Sequence, residues 1–367
     1  MMGLYIHIPF CVSKCKYCDF ASYSGREDLM HKYTTAIRRE AAEYSGFEMD
    51  TVYIGGGTPT CLEIGCLDEV LYMARSNFCL TDDFEFTVEA NPGTLTREKA
   101  RLLKKYGVNR ISLGAQSFSD KELSFLGRIH TASDTVATVE LLRSEGFDNI
   151  SLDLMYALPG QTMSGLADSL KKLISLNPEH ISCYGLKIEE GTPFALMESR
   201  GEISEKTEDE YADMYEYIVS ELAKNGYERY EISNFAKNGK VSRHNTGYWR
   251  CKHYLGLGLG ASSYIDGRRF TKANDFDSYF NGFALSEDYS LSKEELMSEF
   301  VILGLRLVKD GISASEFKWR FGNDIFDVYG EQLNKFQKLD MLDISGDRIR
   351  LTDRACFVSN SILYEFI

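Results

Sequence analysis

The chain has 367 residues, with 41 Lys and Arg against 55 Asp and Glu, which gives a formal net charge of −14 at pH 7. This acidic balance argues against a nucleic-acid partner, because binding to the phosphate backbone requires a surplus of basic side chains. The apolar fraction of 44% excludes a disordered chain, and nine cysteines are too few for a disulfide scaffold of this length.

The first ten residues predict a strand at 4–8 and not a signal peptide, because they lack a basic stretch followed by a long apolar one. No transmembrane segment is expected, since the best apolar run, at 300–308, is interrupted by Arg306. Together with the low density of cysteines, these features favour a cytoplasmic protein.

Short β-branched or aromatic runs alternate with longer helical patterns in the first half of the chain. The predicted strands are 4–8, 51–54, 84–89, 109–113, 150–155 and 180–186. The predicted helices are 27–45, 62–78, 96–106, 132–145 and 162–176, most of which end at a glycine such as Gly107 or Gly146. This alternation predicts an α/β fold with a parallel sheet, and six units fit a partial (β/α)6 TIM-like barrel. Periodicity alone does not separate an open barrel from a doubly wound sheet.

The second half of the chain has a different composition. A helix predicted at 204–225 leads into a segment that is rich in Tyr, Gly, His and Asn and has little clear period. After a polar break at 286–292, the pattern predicts helices at 293–308, 313–321, 325–339 and 353–366, and a hairpin at 341–351 with Gly346 in its turn. We therefore expect a barrel at 1–226, a connecting segment at 227–289 and a small winged-helix-like α+β domain at 290–367. Without a basic excess, a packing role is expected for that last domain.

Three cysteines, Cys11, Cys15 and Cys18, follow the first predicted strand on one loop. At this spacing they can converge on a soft metal centre. No fourth cysteine follows, because an Asp and then Phe20 come next, and three thiolates on a four-iron cluster leave one iron free for an external ligand. The alternatives are structural zinc with a distant fourth ligand, such as His7, or three unrelated core cysteines. The other cysteines are scattered, and most are expected to pack in the core: Cys61, Cys66, Cys79, Cys183, Cys251 and Cys356.

A glycine-rich loop, Gly55-Gly56-Gly57-Thr58-Pro59, ends the second predicted strand. Three glycines let the backbone approach a ligand closely, and the loop carbonyls and the Thr58 hydroxyl can hydrogen-bond it. The alternative is a tight strand-to-helix turn. Ligand-binding residues of parallel sheets lie at the carboxyl ends of the strands, which is where this loop is predicted.

Polar residues also stand at or near the ends of the later strands: Glu89, Gln116, Arg128 and Asp153. Each of them alone is a candidate solvated or capping residue. Together they would form a ring of carboxylate, amide and guanidinium groups at one mouth of the barrel. Such groups can bind hydroxyls and a carboxylate.

The CxxxCxxC spacing after a first strand, with the glycine-rich loop, resembles the radical S-adenosylmethionine (radical SAM) superfamily. The resemblance implies that Cys11, Cys15 and Cys18 hold a [4Fe-4S] cluster whose open iron chelates S-adenosylmethionine (SAM). One electron from the cluster then cleaves SAM to methionine and a 5′-deoxyadenosyl radical. The resemblance also implies a set of SAM contacts: Tyr5, Tyr17, Gly56, Gly57, Thr58, Glu89, Gln116, Arg128 and Asp153.

Nearly the whole chain is similar to one branch of that superfamily, which contains oxygen-independent coproporphyrinogen III dehydrogenases and a group of heme chaperones. The dehydrogenases carry CxxxCxxCxC, whereas Phe20 holds the last position here, as in the chaperones. Residues 244–249, HNTGYW, match the HNxxYW signature of the chaperones. The resemblance implies a chaperone that binds heme and hands it to heme-accepting proteins, with an electron donor as a further partner.

The segment at 244–264 offers several groups that suit a porphyrin. Imidazole, thiolate and phenolate are all known axial ligands of heme iron, and aromatic rings can stack on the macrocycle. The candidates are His244, Tyr248, Trp249, Cys251 and His253. The alternative is an ordered aromatic segment over the barrel mouth, with His244 hydrogen-bonded to backbone. The glycine run at 256–260 is not GxGxxG, so no dinucleotide site is predicted.

Two other functions remain open at this stage. One is the dehydrogenase, which decarboxylates coproporphyrinogen III oxidatively and which the missing fourth cysteine disfavours. The other is a non-catalytic module whose cysteines bind zinc. Whether the chain is an enzyme is therefore left undecided, with the chaperone preferred.

Overall fold

Six parallel strands from the first half of the chain form the centre of the fold, in a computed structural model that describes residues 1–367. They are β1 (Met2–Ile8), β2 (Glu48–Gly56), β3 (Cys79–Ala90), β4 (Arg110–Gln116), β5 (Ile150–Tyr156) and β6 (His180–Gly185). These strands lie side by side in chain order. In a doubly wound sheet the order of the strands reverses at one point, whereas here the six strands follow one another in chain order. This order identifies an open barrel and confirms the predicted partial barrel.

Helices connect these strands and cover the outside of the barrel. They are α1 (Met30–Ala42), α2 (Ile64–Ser76), α3 (Arg97–Lys105), α4 (Asp120–Leu126), α5 (Ala132–Ser144), α6 (Met163–Ser175), α7 (Pro193–Ser199) and α8 (Glu208–Lys224). Gly107 and Gly146 follow α3 and α5 with φ of +82° and +80°, as predicted for residues that end a helix.

The strand β4 shows why the barrel has a polar interior. Ile111, Leu113 and Ala115 are fully buried in the hydrophobic core. The alternate residues Arg110, Ser112, Gly114 and Gln116 line an internal cavity instead. Because successive side chains of a strand point to opposite faces, this alternation places apolar side chains under the helices and polar ones inside.

The segment after α8 extends the barrel sheet on both edges. Its elements are β7 (Glu228–Arg229), β8 (Asn234–Ala236), α9 (Arg243–Trp249), β9 (Tyr254–Leu257), β10 (Ser262–Ile265), β11 (Arg268–Lys272), α10 (Phe276–Phe280) and β12 (Leu285–Ser290). β8 pairs with β6, and β9 pairs with β1 in parallel, which gives a twelve-stranded sheet. The barrel therefore does not close between β6 and β1.

The polar stretch at 286–292 is mostly the edge strand β12, paired antiparallel with β11, which the sequence pattern did not predict. Every residue of β12 is exposed, so it has no apolar alternation that would reveal a strand.

The glycine run at 256–260 closes the turn from β9 to β10. Gly258 has φ of +101°, and a Cβ there would lie 2.7 Å from the His7 carbonyl oxygen.

The C-terminal part packs helices against a three-stranded sheet of its own. Its elements are α11 (Lys293–Gly304), β13 (Ile312–Ser313), α12 (Ala314–Phe321), α13 (Ile325–Lys338), β14 (Leu342–Ser345), β15 (Arg348–Leu351), α14 (Asp353–Phe357) and α15 (Ser359–Leu363). The predicted hairpin turns at Gly346, with φ of +59°. The single helix predicted at 353–366 is two short helices and a 3₁₀ turn.

Helix α11 packs against α9, which brings this part of the chain next to the barrel. None of the helices combines the length and the apolar character needed to cross a membrane.

Candidate functional site

A cavity of about 440 Å³ occupies the barrel interior and opens at the carboxyl ends of the central strands. Cys11, Cys15 and Cys18 all border this first cavity, and each is partly exposed. No three Cys, His, Asp or Glu side chains are grouped to hold a single metal ion, but the thiolates of a four-iron cluster each bind a different iron. Three soft sulfur donors around one cavity fit an iron–sulfur cluster by their chemistry.

The cysteine loop is held by backbone hydrogen bonds from several directions. Lys16 N donates to the Leu126 carbonyl at 3.0 Å, and the Lys16 carbonyl accepts from Phe194 N at 3.0 Å. The thiol of Cys11 lies 3.7 Å from the Thr58 hydroxyl. Burial raises the pKa of Cys11 and also that of Cys15. Metal binding would have to displace these thiol protons.

The glycine-rich loop passes directly beneath the cysteine loop. Gly57 N donates to the Ile8 carbonyl and Thr58 N to the Phe10 carbonyl, both at 2.8 Å. A Cβ on Gly57 would lie 2.6 Å from the Phe10 carbonyl oxygen and 3.1 Å from the Cys11 sulfur. Gly56 has φ of +106°, which side chains rarely tolerate. These glycines are therefore required for close packing against β1, as well as being available to a ligand.

Arg128 connects three segments around the first cavity. Its Nη2 donates to the Tyr17 hydroxyl at 2.8 Å, and its Nη1 donates to Asn91 Oδ1 at 2.7 Å. Asn91 in turn donates from Nδ2 to the Thr58 hydroxyl at 2.7 Å. The Nε atom of Arg128 is buried without a hydrogen-bond partner, so this donor of the guanidinium is unused.

Glu89 on β3 is held by two groups of the neighbouring strand β2. Its carboxylate accepts from the Tyr53 hydroxyl at 2.6 Å and from Gly56 N at 3.1 Å. Burial is the largest cause that raises the pKa of Glu89 to about 7. Glu89 thus changes charge near neutral pH.

Asp153 and Gln116 also line the first cavity. The Ser112 hydroxyl donates to Asp153 at 3.4 Å, and burial raises the pKa of this carboxyl group. Gln116 has φ of +62°, an uncommon backbone conformation for a residue other than glycine. The expected SAM contacts therefore surround one cavity with a single exception, Tyr5.

Tyr5 lines a second cavity of about 640 Å³, which lies between the open side of the barrel and α11. Its hydroxyl bonds His7 Nδ1 at 2.9 Å. Ten of the sixteen residues around this cavity are hydrophobic. They come from distant parts of the chain: Tyr5, His7, Phe20, Ala21, Tyr248, Trp249, Cys251, Lys252, Tyr254, Gly260, Ser262, Tyr264, Arg269, Glu299, Ile302 and Leu303.

Phe20 borders both cavities and is 63% exposed. Trp249 and Tyr248 reach the second cavity from α9. Phe20, two residues after Cys18, and the HNTGYW segment are far apart in sequence but face the same cavity.

His244 does not line either cavity. It is 3% exposed, and its ring bonds the Thr51 hydroxyl through Nδ1 and the Tyr248 hydroxyl through Nε2, both at 2.8 Å. Burial lowers the pKa of His244 to about 3, so the ring is neutral. The expected backbone partner is thus replaced by two side-chain hydroxyls. Since Gly3 and Thr51 lie early in β1 and β2, α9 covers the end of the barrel opposite the cysteines.

Cys251 lines the second cavity, whereas His253 lies outside it. The backbone of Cys251 has φ of +50°, and burial raises the pKa of its thiol to about 12. His253 accepts a hydrogen bond from Asp266 N at 3.4 Å. Of the predicted heme candidates, the structure brings Tyr248, Trp249 and Cys251 together.

Asn91, Arg269 and Glu299 are among the residues of these sites that the sequence interpretation missed. Asn91 follows Glu89 by two positions, and that short distance from a strand end is a signal that could have found it. Arg269 and Glu299 form a two-pronged ion pair of 2.6 and 3.0 Å beside the second cavity. No sequence pattern links them, because they come from β11 and α11.

Comparison with known proteins gives two family matches. Residues 5–173 match the radical SAM superfamily, and residues 291–358 match the HemN C-terminal domain. The first match lies within the barrel strands and helices, and the second lies within the C-terminal part that begins with α11.

Similar curated proteins extend over the whole chain. The heme chaperone HemW of Lactococcus lactis is 38% identical over 99% of this chain and 96% of its own length. HemW of Bacillus subtilis is 36% identical over 100% and 99%, and HemW of Escherichia coli is 34% identical over 100% and 98%.

Among solved structures, coproporphyrinogen III oxidase (HemN) from Escherichia coli, a radical SAM enzyme, superposes with a TM-score of 0.86. The match covers 100% of this chain and 89% of that one at 22% identity. This likeness shows that the two chains share a fold.

Proposed function

The chain belongs to the HemW family of the radical SAM superfamily, and on that premise we propose that it is a heme chaperone. It binds a [4Fe-4S] cluster, SAM and heme, and delivers heme to heme-dependent proteins. Membership of the superfamily implies the cluster and SAM. The observation that carries the proposal is the aromatic second cavity, to which both Phe20 and the HNTGYW segment contribute.

The first cavity is proposed to hold the cluster and SAM. Cys11, Cys15 and Cys18 would supply the thiolates, leaving one iron for SAM. When bound, the cluster supplies one electron to SAM. The buried, unused Nε donor of Arg128 supports its pairing with the SAM carboxylate, and the Glu89 and Asp153 carboxylates can accept hydrogen bonds from the ribose.

The second cavity is proposed to hold heme. Its volume of about 640 Å³ falls within the usual range for ligand sites, and its lining is mostly hydrophobic and aromatic. Trp249 and Tyr248 would pack on the macrocycle, and Arg269 can pair with a propionate. Cys251 lines this cavity and is the proposed iron ligand, since thiolates are known axial ligands, although iron would have to displace the proton that burial keeps on this thiol.

In this proposal His244 acts as a positioning residue. Its hydrogen bond orients Tyr248, and Tyr248 packs edge-on against Tyr254 with ring centroids 4.6 Å apart. Both tyrosines line the heme cavity. His244 therefore supports the shape of this cavity without contacting heme.

Partners and compartment follow from the same proposal. Heme-accepting proteins receive the heme, and an electron donor reduces the cluster. The low density of cysteines, none of them joined in a disulfide, favours a reducing, cytoplasmic setting.

The proposal is tested by heme titration of anaerobically reconstituted protein. We expect a stable complex in the wild type and its loss in Leu303→Arg, because a charge in the apolar cavity carries a large desolvation cost. The matched control is Trp319→Arg, since Trp319 is 83% exposed and lies outside the cavity. Equal loss in both variants would point to unspecific adsorption of heme. Failure of the wild type to retain heme, together with turnover of coproporphyrinogen III, would support the dehydrogenase instead.

A further inference from the structure

Tyr248 and Trp249 are consecutive residues of α9 that both line the second cavity, but they are held in different ways. The Tyr248 hydroxyl bonds His244, and the Tyr248 ring packs edge-on against Tyr254. The indole Nε1 of Trp249, in contrast, is buried without a hydrogen-bond partner. The orientation of the indole ring therefore depends on the groups that pack against its faces.

The guanidinium of Arg306 lies over the Trp249 ring, with its Cζ atom 4.5 Å from the ring centroid. Arg306 follows the end of α11 by two residues and does not line the second cavity itself. It therefore contacts the indole from a side that faces away from the cavity. A cation over an aromatic face is attracted by the negative potential of the ring, and Trp gives the strongest attraction of this kind.

Arg306 has few direct partners of its own. Its Nε atom is buried without a hydrogen-bond partner. Asp310, the nearest acidic residue along the chain, is paired with Arg250 at 2.6 Å instead. A partly buried guanidinium needs a counter-charge, because its desolvation is otherwise uncompensated.

Glu231 is a buried carboxylate with one unused oxygen, in the loop between β7 and β8. It is 1% exposed, and its Oε1 accepts a hydrogen bond from Ser233 N at 2.8 Å, whereas Oε2 has no partner. Burial raises the pKa of Glu231, and the positive charge of Arg306 opposes this rise. The carboxylate and the guanidinium are therefore within electrostatic range of each other.

Backbone contacts bring the three segments together independently of these charges. Lys309 N donates to the Tyr230 carbonyl at 3.5 Å, which joins the stretch after α11 to the loop before β8. A Cβ on Gly304 would lie 3.9 Å from the Trp249 carbonyl oxygen, so the end of α11 also adjoins the end of α9. Arg306 lies between these two contacts along the chain, which confines it to this junction.

We propose that Arg306 and Glu231 are positioning residues for the second cavity. Arg306 holds the Trp249 ring in place at the cavity wall, and Glu231 holds Arg306 over the ring. Neither of the two charged residues contacts the ligand. The inference rests on the proposed function only for the identity of that ligand, heme, because the contact between Arg306 and Trp249 involves this chain alone.

The first measurement follows the ring without heme. The chain has two tryptophans, so in a Trp319→Phe background all tryptophan emission comes from Trp249. We expect Arg306→Met to increase the fast depolarisation of this emission, because a ring that has lost its cation moves more freely. Arg306→Lys should keep most of the order, since it keeps a cation. Unchanged depolarisation in Arg306→Met, or in Arg306→Gln if the methionine variant does not fold, would overturn the proposal.

The second measurement is the affinity for heme and for heme dimethyl ester, which has no free propionates. Arg306→Met should weaken both by roughly fivefold, because a positioning residue does not touch the propionates. Loss confined to heme would assign Arg306 to a propionate and overturn its positioning role. The matched control is Arg75→Met, which should leave both affinities unchanged. The Arg75 guanidinium lies over the Phe84 ring at 4.9 Å and lines neither cavity.

Glu231 is tested by a double-mutant cycle with Arg306. Glu231→Gln removes the charge but keeps an acceptor oxygen for Ser233 N. We expect it to increase the depolarisation and to weaken heme binding, and to add nothing further in the Arg306→Met background. Additive effects would overturn the role of Glu231. If the wild type retains no heme, the proposed function fails, whereas the depolarisation cycle still tests both residues.

Discussion

Arg128 Nη2 donates to the Tyr17 hydroxyl at 2.8 Å, although the two residues are 111 positions apart. Tyr17 lies between the second and third cysteines of the loop, and Arg128 lies just after α4. The same guanidinium bonds Asn91, which bonds Thr58 of the glycine-rich loop. One chain of hydrogen bonds thus joins the cysteine loop to the glycine-rich loop.

We predict that Tyr17→Phe weakens SAM binding by roughly tenfold. The phenyl ring keeps the packing, but Arg128 loses a hydrogen bond, and bonds to charged groups contribute about 1.5–3 kcal/mol. Affinity is measured by calorimetry on reconstituted protein. Tyr72→Phe is the control, because Tyr72 is exposed on α2. An unchanged affinity in Tyr17→Phe would show that this bond does not orient Arg128 for SAM.

Gly57→Ala should lower both the melting temperature and the iron content after reconstitution. The new Cβ would meet two backbone carbonyls at 2.6 and 2.8 Å, so the cysteine loop must shift to relieve the contact. Gly65→Ala is the matched control, since a Cβ at that helical position has nothing within 4 Å. We expect Gly65→Ala to be neutral or slightly stabilising. Equal iron and melting temperature in all three proteins would contradict the packing argument.

Glu89 makes stability depend on pH in a defined direction. Its pKa is raised to about 7 in the folded protein from 4.5, so the folded state holds a proton that the unfolded state releases. The contribution of Glu89 to the free energy of unfolding is fully present below pH 4.5 and is lost as the pH rises through about 7. Glu89→Gln should flatten this part of the profile in urea unfolding, whereas Glu98→Gln, an exposed position, should not. A profile that keeps its slope in Glu89→Gln would assign the effect to another group.

Cys251 and His244 should behave differently in the heme complex. Cys251→Ser should abolish the red-shifted Soret band that a thiolate gives in the ferrous carbon monoxide complex. His244→Gln should keep that band but destabilise the protein by about 1–3 kcal/mol, because buried hydroxyl partners lose their acceptor or donor. Absorption spectra and thermal melts distinguish the two. A band that disappears in His244→Gln and persists in Cys251→Ser would reverse the assignment.

Local patterns were sufficient for the first half of the fold. The alternation of apolar runs and the glycines after the helices predicted six strands, and the spacing of Cys11, Cys15 and Cys18 indicated a reactive loop. Each of these features depends on residues that are neighbours in sequence. Such contacts are decided by backbone geometry and by side-chain periodicity.

Other features depended on contacts between distant segments. The order of the strands shows that the sheet forms a barrel and is not doubly wound. The periodicity of the sequence does not encode that order. Strand β12 is exposed on both faces, so only its pairing with β11 makes it a strand. The second cavity required Phe20, α9 and α11 to meet.

His244 illustrates this division most clearly. From the sequence by itself, the HNTGYW motif and the cysteine spacing determined the family and the chemistry that the chain is equipped for. Only the tertiary structure decided that His244 is buried between Thr51 and Tyr248, while Cys251 faces the cavity. The physical reason is that burial and hydrogen-bond partners come from packing between segments almost two hundred residues apart, which the order of residues does not reveal.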